Sequence, residues 1–243
     1  MHSHTTACDC LAKREEIGDD IYFNRRFRTD LNKLYVDRPT DILGASSCCG
    51  ALKLKIKGRK GKAVLEDRSH VVFVDGACSG NGQEGARAAF GIYFGDTVPH
   101  NDFSLIDEHL PQNNQYAQLF AATVALKIMR SQMDEDIRKN IDREYRHICK
   151  VVIATDSAYV VDGISDWIFK WKENGFKTST GKRVANSGLF QELDSVVQDF
   201  REEGIPVWFW HVKRQFNRSA EALARVPLYG DQEIPALVPF VRK

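Results

Sequence analysis

Residues 151–160 read Val-Val-Ile-Ala-Thr-Asp-Ser-Ala-Tyr-Val. The run Val151–Ala154 is short and continuously apolar, without the alternation of a strand that has one wet face. It is therefore read as a strand buried on both sides, the usual state in a parallel sheet. It stops at Thr155-Asp156-Ser157, and a helix is expected from about Ser157 to Trp171. The same grammar occurs earlier, where Val71-Val72-Phe73-Val74 runs into Asp75-Gly76. Each Asp taken alone is an ordinary turn-former or helix cap. Two of them closing buried strands in one chain point instead to a site beyond the carboxyl ends of a sheet.

Outward from these two strands, Ala88–Phe94 gives a second strand after the Gly-rich loop 79–85, and a weaker third is placed at Phe103–Ile106. Leu119, Ala122, Leu126 and Met129 repeat at helical spacing. A further helix is expected over Ser187–Glu203, a last strand over Val207–Val212 after Gly204 and Pro206, and a closing helix over Asn217–Arg225. The order β-β-β-α-β-α-α-β-α implies an α/β fold with a mixed five-stranded sheet flanked by helices.

Residues 1–69 form an N-terminal extension without sustained periodicity, except for the alternating Leu52-Lys53-Leu54-Lys55-Ile56-Lys57. That run, followed by Gly58-Arg59-Lys60-Gly61-Lys62 and Ala63-Val64-Leu65, reads either as a half-buried strand entering a hairpin or as a solvated basic linker. The main domain is expected at 70–226 and a tail at 227–243. At 243 residues and a net charge of +1, the chain is no uniformly basic nucleic-acid coat, so contact with nucleic acid would have to come from a local patch. Residues 1–20 lack the apolar stretch of a secretory signal, their acids argue against a mitochondrial presequence, and no run is long enough to span a membrane. The six cysteines, Cys8, Cys10, Cys48, Cys49, Cys78 and Cys149, are expected to be reduced thiols in an intracellular protein. Zinc is disfavoured, because Cys8-x-Cys10 and the adjacent Cys48-Cys49 lack the usual knuckle spacing even with His2 and His4 nearby.

Four motifs in order now carry a resemblance. Asp75-Gly76-Ala77-Cys78-Ser79-Gly80-Asn81-Gly82, Asn113-Asn114-Gln115-Tyr116-Ala117-Gln118-Leu119, Thr155-Asp156-Ser157-Ala158-Tyr159-Val160 and Asn217-Arg218-Ser219-Ala220-Glu221-Ala222-Leu223-Ala224 resemble the four signature segments of ribonuclease H type 1. Residues 167–178, Trp-Ile-Phe-Lys-Trp-Lys-Glu-Asn-Gly-Phe-Lys-Thr, look like the basic, aromatic substrate-binding protrusion of some members. Trp167 and Trp171 lie one helical turn apart and are expected to pack inward.

The resemblance implies cleavage of the RNA strand of an RNA–DNA hybrid with two Mg²⁺ (or Mn²⁺) ions about 4 Å apart, held by four carboxylates. By position these are Asp75, Gln118, Asp156 and Glu221, which are the implied catalytic and metal-holding residues of this chain. Two depart from the pattern. Gln118 stands where the family has Glu, which removes a charge from the site. Glu221 stands where the family has Asp, which moves a carboxylate outward by about 1.5 Å; a misplacement of about 1 Å costs on the order of a hundredfold in rate. The loop 211–217 is shorter than the family's His-bearing loop, and only His211 stands near that role. Weakened or lost catalysis is expected, with weak ion binding.

Binding features survive better. Asn81, Asn113, Asn114 and Gln115 match positions that contact nucleic-acid backbone and 2′-hydroxyls, and Lys172 and Lys177 are either phosphate contacts or a solvated face. The implied partner is an RNA–DNA hybrid or structured RNA, with no membrane and no protein partner legible. A non-catalytic binding module and a protein-interaction scaffold are the alternatives.

Overall fold

The continuous apolar runs become the centre of a five-stranded sheet in the computed structural model, which describes residues 25–27, 39–47, 49–57, 62–96, 98–139, 148 and 150–230. The elements are α1 (Pro39–Ile42), β1 (Leu43–Ala45), β2 (Leu52–Lys57), β3 (Ala63–Leu65), β4 (Ser69–Ser79), β5 (Arg87–Tyr93), β6 (Asp102–Leu105), α2 (Asn114–Arg138), β7 (Lys150–Thr155), α3 (Ala158–Asp162), α4 (Ile168–Glu173), α5 (Ser187–Glu202), β8 (Val207–His211) and α6 (Arg218–Tyr229). The main sheet has the order β6-β5-β4-β7-β8. β4, β7 and β8 are parallel, whereas β5 and β6 are antiparallel to their neighbours. The expected mixed five-stranded α/β architecture is therefore the observed one. β4 and β7 lie inside the sheet with both faces covered, which is why their sequences do not alternate.

Each face has its own core. Val72, Val74, Ile92, Ile153 and Phe209 pack with Leu119, Leu126 and Met129 of α2 and Phe190, Leu193 and Phe200 of α5. Val71, Phe73, Tyr93, Val152 and Trp210 pack on the other side with Ala220 and Leu223 of α6 and with Phe27, Leu43, Leu52 and Leu54 from the extension.

The alternating lysine run is a hairpin strand, not a linker: β2 pairs antiparallel with β3 through Lys55↔Leu65, Ile56↔Val64 and Lys57↔Ala63, and with β1 on its other side. Its turn, residues 58–61, lies outside the described residues. Lys53 departs from the half-buried pattern, being only 4% exposed, because its Nζ donates to His70 Nε2 of β4 at 2.8 Å. Residues 25–27 add a three-residue edge beside β8. Phe209 N–H donates to Arg25 O at 2.7 Å and Phe27 N–H to Phe209 O at 2.9 Å.

The expected helix from Ser157 to Trp171 is interrupted by a π-turn, Gly163–Trp167, in which Ile168 N–H reaches Gly163 O. Gly163 sits so close to Phe190 that a Cβ there would meet the ring at 2.4 Å. The wider turn shifts the angular register of the helical residues beyond it. Trp167, the last residue of that turn, is 41% exposed and not packed inward as expected, whereas Trp171 lies against Phe190 with ring centroids 5.0 Å apart. Among the described residues no helix is long and apolar enough to cross a membrane. Cys8, Cys10, His2, His4, Cys48 and Cys149 lie outside them.

Candidate active site

Two glycines set the site's depth. A Cβ at Gly76 would lie 2.2 Å from Gln118 N and 2.3 Å from Ala117 C, so only glycine lets α2 press its first turns onto β4. A Cβ at Gly91, the β5 partner of Asp75, would lie 2.3 Å from Ala224 N and 2.5 Å from Ala220 O. That close approach seats α6 on the face that carries Asp75. The two helices bearing Gln118 and Glu221 are thus brought to the strand bearing Asp75, while β7, parallel to β4, ends just before Asp156.

Asp75 is 7% exposed, and its carboxyl is pushed up to about 8. Burial is the main cause, and the negative charges of Asp156 and Glu221 add to it, against relief from the Gly76 N–H and Arg214. The Gly76 N–H donates to Asp75 Oδ1 at 2.8 Å. Asp156 is half-buried and held by the buried Asn217, whose Nδ2 donates to Asp156 Oδ1 at 2.9 Å and to Val74 O at 3.1 Å. Gln118 Oε1 accepts from the Ser157 hydroxyl at 2.7 Å. Ser157 also caps α3 through Val160 N–H. Glu221 is ion-paired with Arg214, an exposed residue of the short loop after β8. Asp75, Asp156 and Glu221 thus share one electrostatic neighbourhood, and Gln118 borders it through Ser157.

Among the described residues no group of three or more His, Cys, Asp or Glu side chains is arranged as a metal cage. The side chains have other engagements: Glu221 is turned to Arg214, and Gln118 brings an amide that already accepts a hydrogen bond. Burial and the negative charges of Asp156 and Glu221 suppress the charge of Asp75, and Arg214 and the Gly76 N–H offset this only in part; the carboxyl oxygens of Asp75 and Asp156 are nonetheless donors of the kind a hard cation takes. His211 ends β8 and is exposed, with Nε2 3.3 Å from Asp156 O.

The amide residues occupy the opening of α2. Asn81 Oδ1 accepts from Asn114 N–H at 3.0 Å and Asn113 Oδ1 from Tyr116 N–H at 2.9 Å, so both spend their oxygens on the helix start. Gln115 is exposed. Lys177 is exposed on the turn after α4, and Lys172 Nζ lies 2.9 Å from Asp194 Oδ2 of α5. Cys78 is partly buried with its thiol pushed up by burial, which suits packing and not nucleophilic attack. Ser157, Asn217 and Arg214 act as orienting residues that motif matching alone did not reveal, because the partner of each lies on another element.

The RNase H family profile matches residues 67–224. Ribonuclease H1 of Rattus norvegicus is 36% identical over 163 residues, which cover 65% of this chain and 49% of that protein. Ribonuclease H of Wolbachia pipientis wMel is 34% identical over 164 residues, covering 66% of this chain and 96% of that protein. The chain thus spans about half the length of the mammalian proteins it matches. Among solved structures, the RNase H domain of PFV aligns at 20% identity with a TM-score of 0.44, over 65% of this chain and 93% of that one.

Proposed function

The chain belongs to the ribonuclease H family, and from that premise we propose that it binds RNA–DNA hybrids and hydrolyses their RNA strand slowly. The observation that carries the reading is the gathering of the four motif positions around one buried carboxyl: Asp75 is 7% exposed within the field of Asp156 and Glu221, and Gln118 is tied to Ser157 beside Asp156. Positive charge brought to such a carboxyl stabilises its anion beyond what the Gly76 N–H and Arg214 supply. Asp75 and Asp156 would hold the divalent ion, Mg²⁺ or Mn²⁺, with Glu221 joining once released from Arg214 and Gln118 contributing at most an amide oxygen. When bound, the ion supplies Lewis acidity and an activated water. The chain's own residues do the rest. Asn217 holds Asp156 in place, and Ser157 fixes Gln118. Asn81, Asn113, Asn114 and Gln115 would contact the nucleic-acid backbone and 2′-hydroxyls, with Lys172 and Lys177 on phosphates.

The catalytic domain is taken as residues 70–226, with 1–69 an extension and 227–243 a tail. An intracellular setting belongs to the same proposal. A second reading, a hybrid-binding module without cleavage, is favoured by the Arg214–Glu221 pair and the missing charge at Gln118. One paired assay decides. A labelled hybrid is titrated at several salt concentrations and then incubated with Mn²⁺. Binding followed by slow cleavage supports the first reading, and binding without cleavage the second. No salt-dependent binding would overturn both.

A further inference from the structure

Arg25 lies in the extension, outside every family motif, yet it is 4% exposed. A buried guanidinium must find a counter-charge and acceptors. Its Nη2 is 2.6 Å from Asp194 Oδ1 on α5, its Nη1 donates to Ile164 O in the π-turn at 3.2 Å, and the group stacks 5.2 Å from the Phe169 ring centroid on α4. The backbone bonds to β8 and the insertion of Phe27 beside Trp210, with centroids 5.1 Å apart, hold Arg25 in that position. Arg26 adds an ion pair to Asp162 at 2.5 Å.

Asp194 therefore faces two cations with one charge. The Arg25 partner is buried, and the Lys172 partner, on the other oxygen, has a side chain 48% exposed. We propose that Arg25 is a positioning residue for the protrusion: by acting as the permanent counter-ion of buried Asp194, it leaves Lys172 free to exchange that carboxylate for a nucleic-acid phosphate. Of the two ion pairs described for Asp194, removal of Arg25 would leave the one to Lys172, whose amine would then be pinned on a buried carboxylate. The inference rests on the reading that Lys172 contacts a nucleic-acid backbone.

The test uses the full chain and a short labelled RNA–DNA hybrid, with affinity measured across a KCl series. Arg25→Gln keeps a donor for Ile164 O and removes the charge. It is expected to lower the slope of log affinity against log salt by about one, the loss of a single phosphate contact. Lys172→Ala should lower it equally, and the Arg25→Gln/Lys172→Ala pair no further. Arg25→Gln/Asp194→Asn, which removes the carboxylate that pins Lys172, should recover the parent slope. An unchanged slope in folded Arg25→Gln, or no recovery in the double variant, overturns the proposal. If Arg25→Gln does not fold, the double variant carries the test alone, and a slope about one below the parent's overturns it. Acylation of the Lys172 amine in the unliganded chain separates this inference from the functional reading. Slower labelling in Arg25→Gln with recovery in the double variant sustains the Arg25 role even where the parent binds no hybrid, an outcome that sinks the functional reading alone. Equal labelling in all three overturns the Arg25 role.

Discussion

Ser157 donates its hydroxyl to Gln118 Oε1 at 2.7 Å, joining the helix cap after β7 to the amide that stands at the family's second acidic position. The contact turns the amide oxygen toward the serine. The same hydroxyl accepts from Val160 N–H at 3.4 Å, so one atom both caps α3 and orients a site residue. Ser157→Ala should lose the cap, at about 1 kcal/mol of stability, and release Gln118. Urea unfolding measures the first effect, and a changed Mn²⁺ affinity by calorimetry the second. A stability change with unaltered ion affinity would mean that the orientation of Gln118 has no bearing on the site.

Gly91→Ala tests the close packing that seats Glu221. The added methyl would meet backbone atoms of Ala224 and Ala220 at 2.3 and 2.5 Å, where no flexible side chain is available to yield. α6 must shift, at about 1–3 kcal/mol as for other overpacked interiors. Urea unfolding should show that loss, with a fall in ion affinity as Glu221 moves away. A variant as stable as the parent would mean that α6 is not held against β5 as described.

Much of the fold was legible because the decisive signals are local. Val151–Ala154 and Val71–Val74 are continuously apolar since β7 and β4 are covered on both faces, and Leu119, Ala122, Leu126 and Met129 show helical spacing since all four are fully buried on one side of α2. The rest depends on partners distant in sequence. Arg25 looks like any charged residue until Asp194 is beside it, and Lys53 looks solvent-facing until His70 is. β1 is only three residues long, and the π-turn begins at Gly163, whose close neighbour Phe190 lies on another helix. At the site, the identities of Gln118 and Glu221 could be read directly, but the engagement of Glu221 by Arg214 could not.

Asp194 gives the chain an acid-sensitive element. Burial raises its carboxyl, but the hydrogen bond from Lys172 and the charge and hydrogen bond of Arg25 outweigh that, and the net shift is downward. A carboxylate depressed in the folded state contributes stability that is fully present above its unfolded value of about 3.9 and is lost as pH falls through the lower folded value. Acid unfolding followed by tryptophan fluorescence should therefore show a pH-dependent loss in that range, and Asp194→Asn should have a shallower acid limb with lower stability near neutrality. A parent and variant with identical acid limbs would show that Asp194 is not the titrating group.

The two departures at the site have different physical causes, so they are expected to respond differently to reversal. Gln118→Glu adds a charge beside Ser157, whose hydroxyl can donate to a carboxylate as it does to the amide. It should tighten Mn²⁺ binding and raise hybrid cleavage. Glu221→Asp leaves the charge count unchanged, but the shorter side chain reaches less far toward Arg214 and draws the carboxylate back by about 1.5 Å. Alone it should help less. If both positions act on ions held at Asp75 and Asp156, the double variant should exceed the product of the single effects in kcat/KM. Arg214→Ala provides an independent check, since removing the competing guanidinium should tighten Mn²⁺ binding if Glu221 is a ligand. A double variant that folds, binds hybrid and cleaves no faster than the parent under Mn²⁺ would place the lesion outside the acidic positions, in the short loop 211–217 or in a blocked cleft.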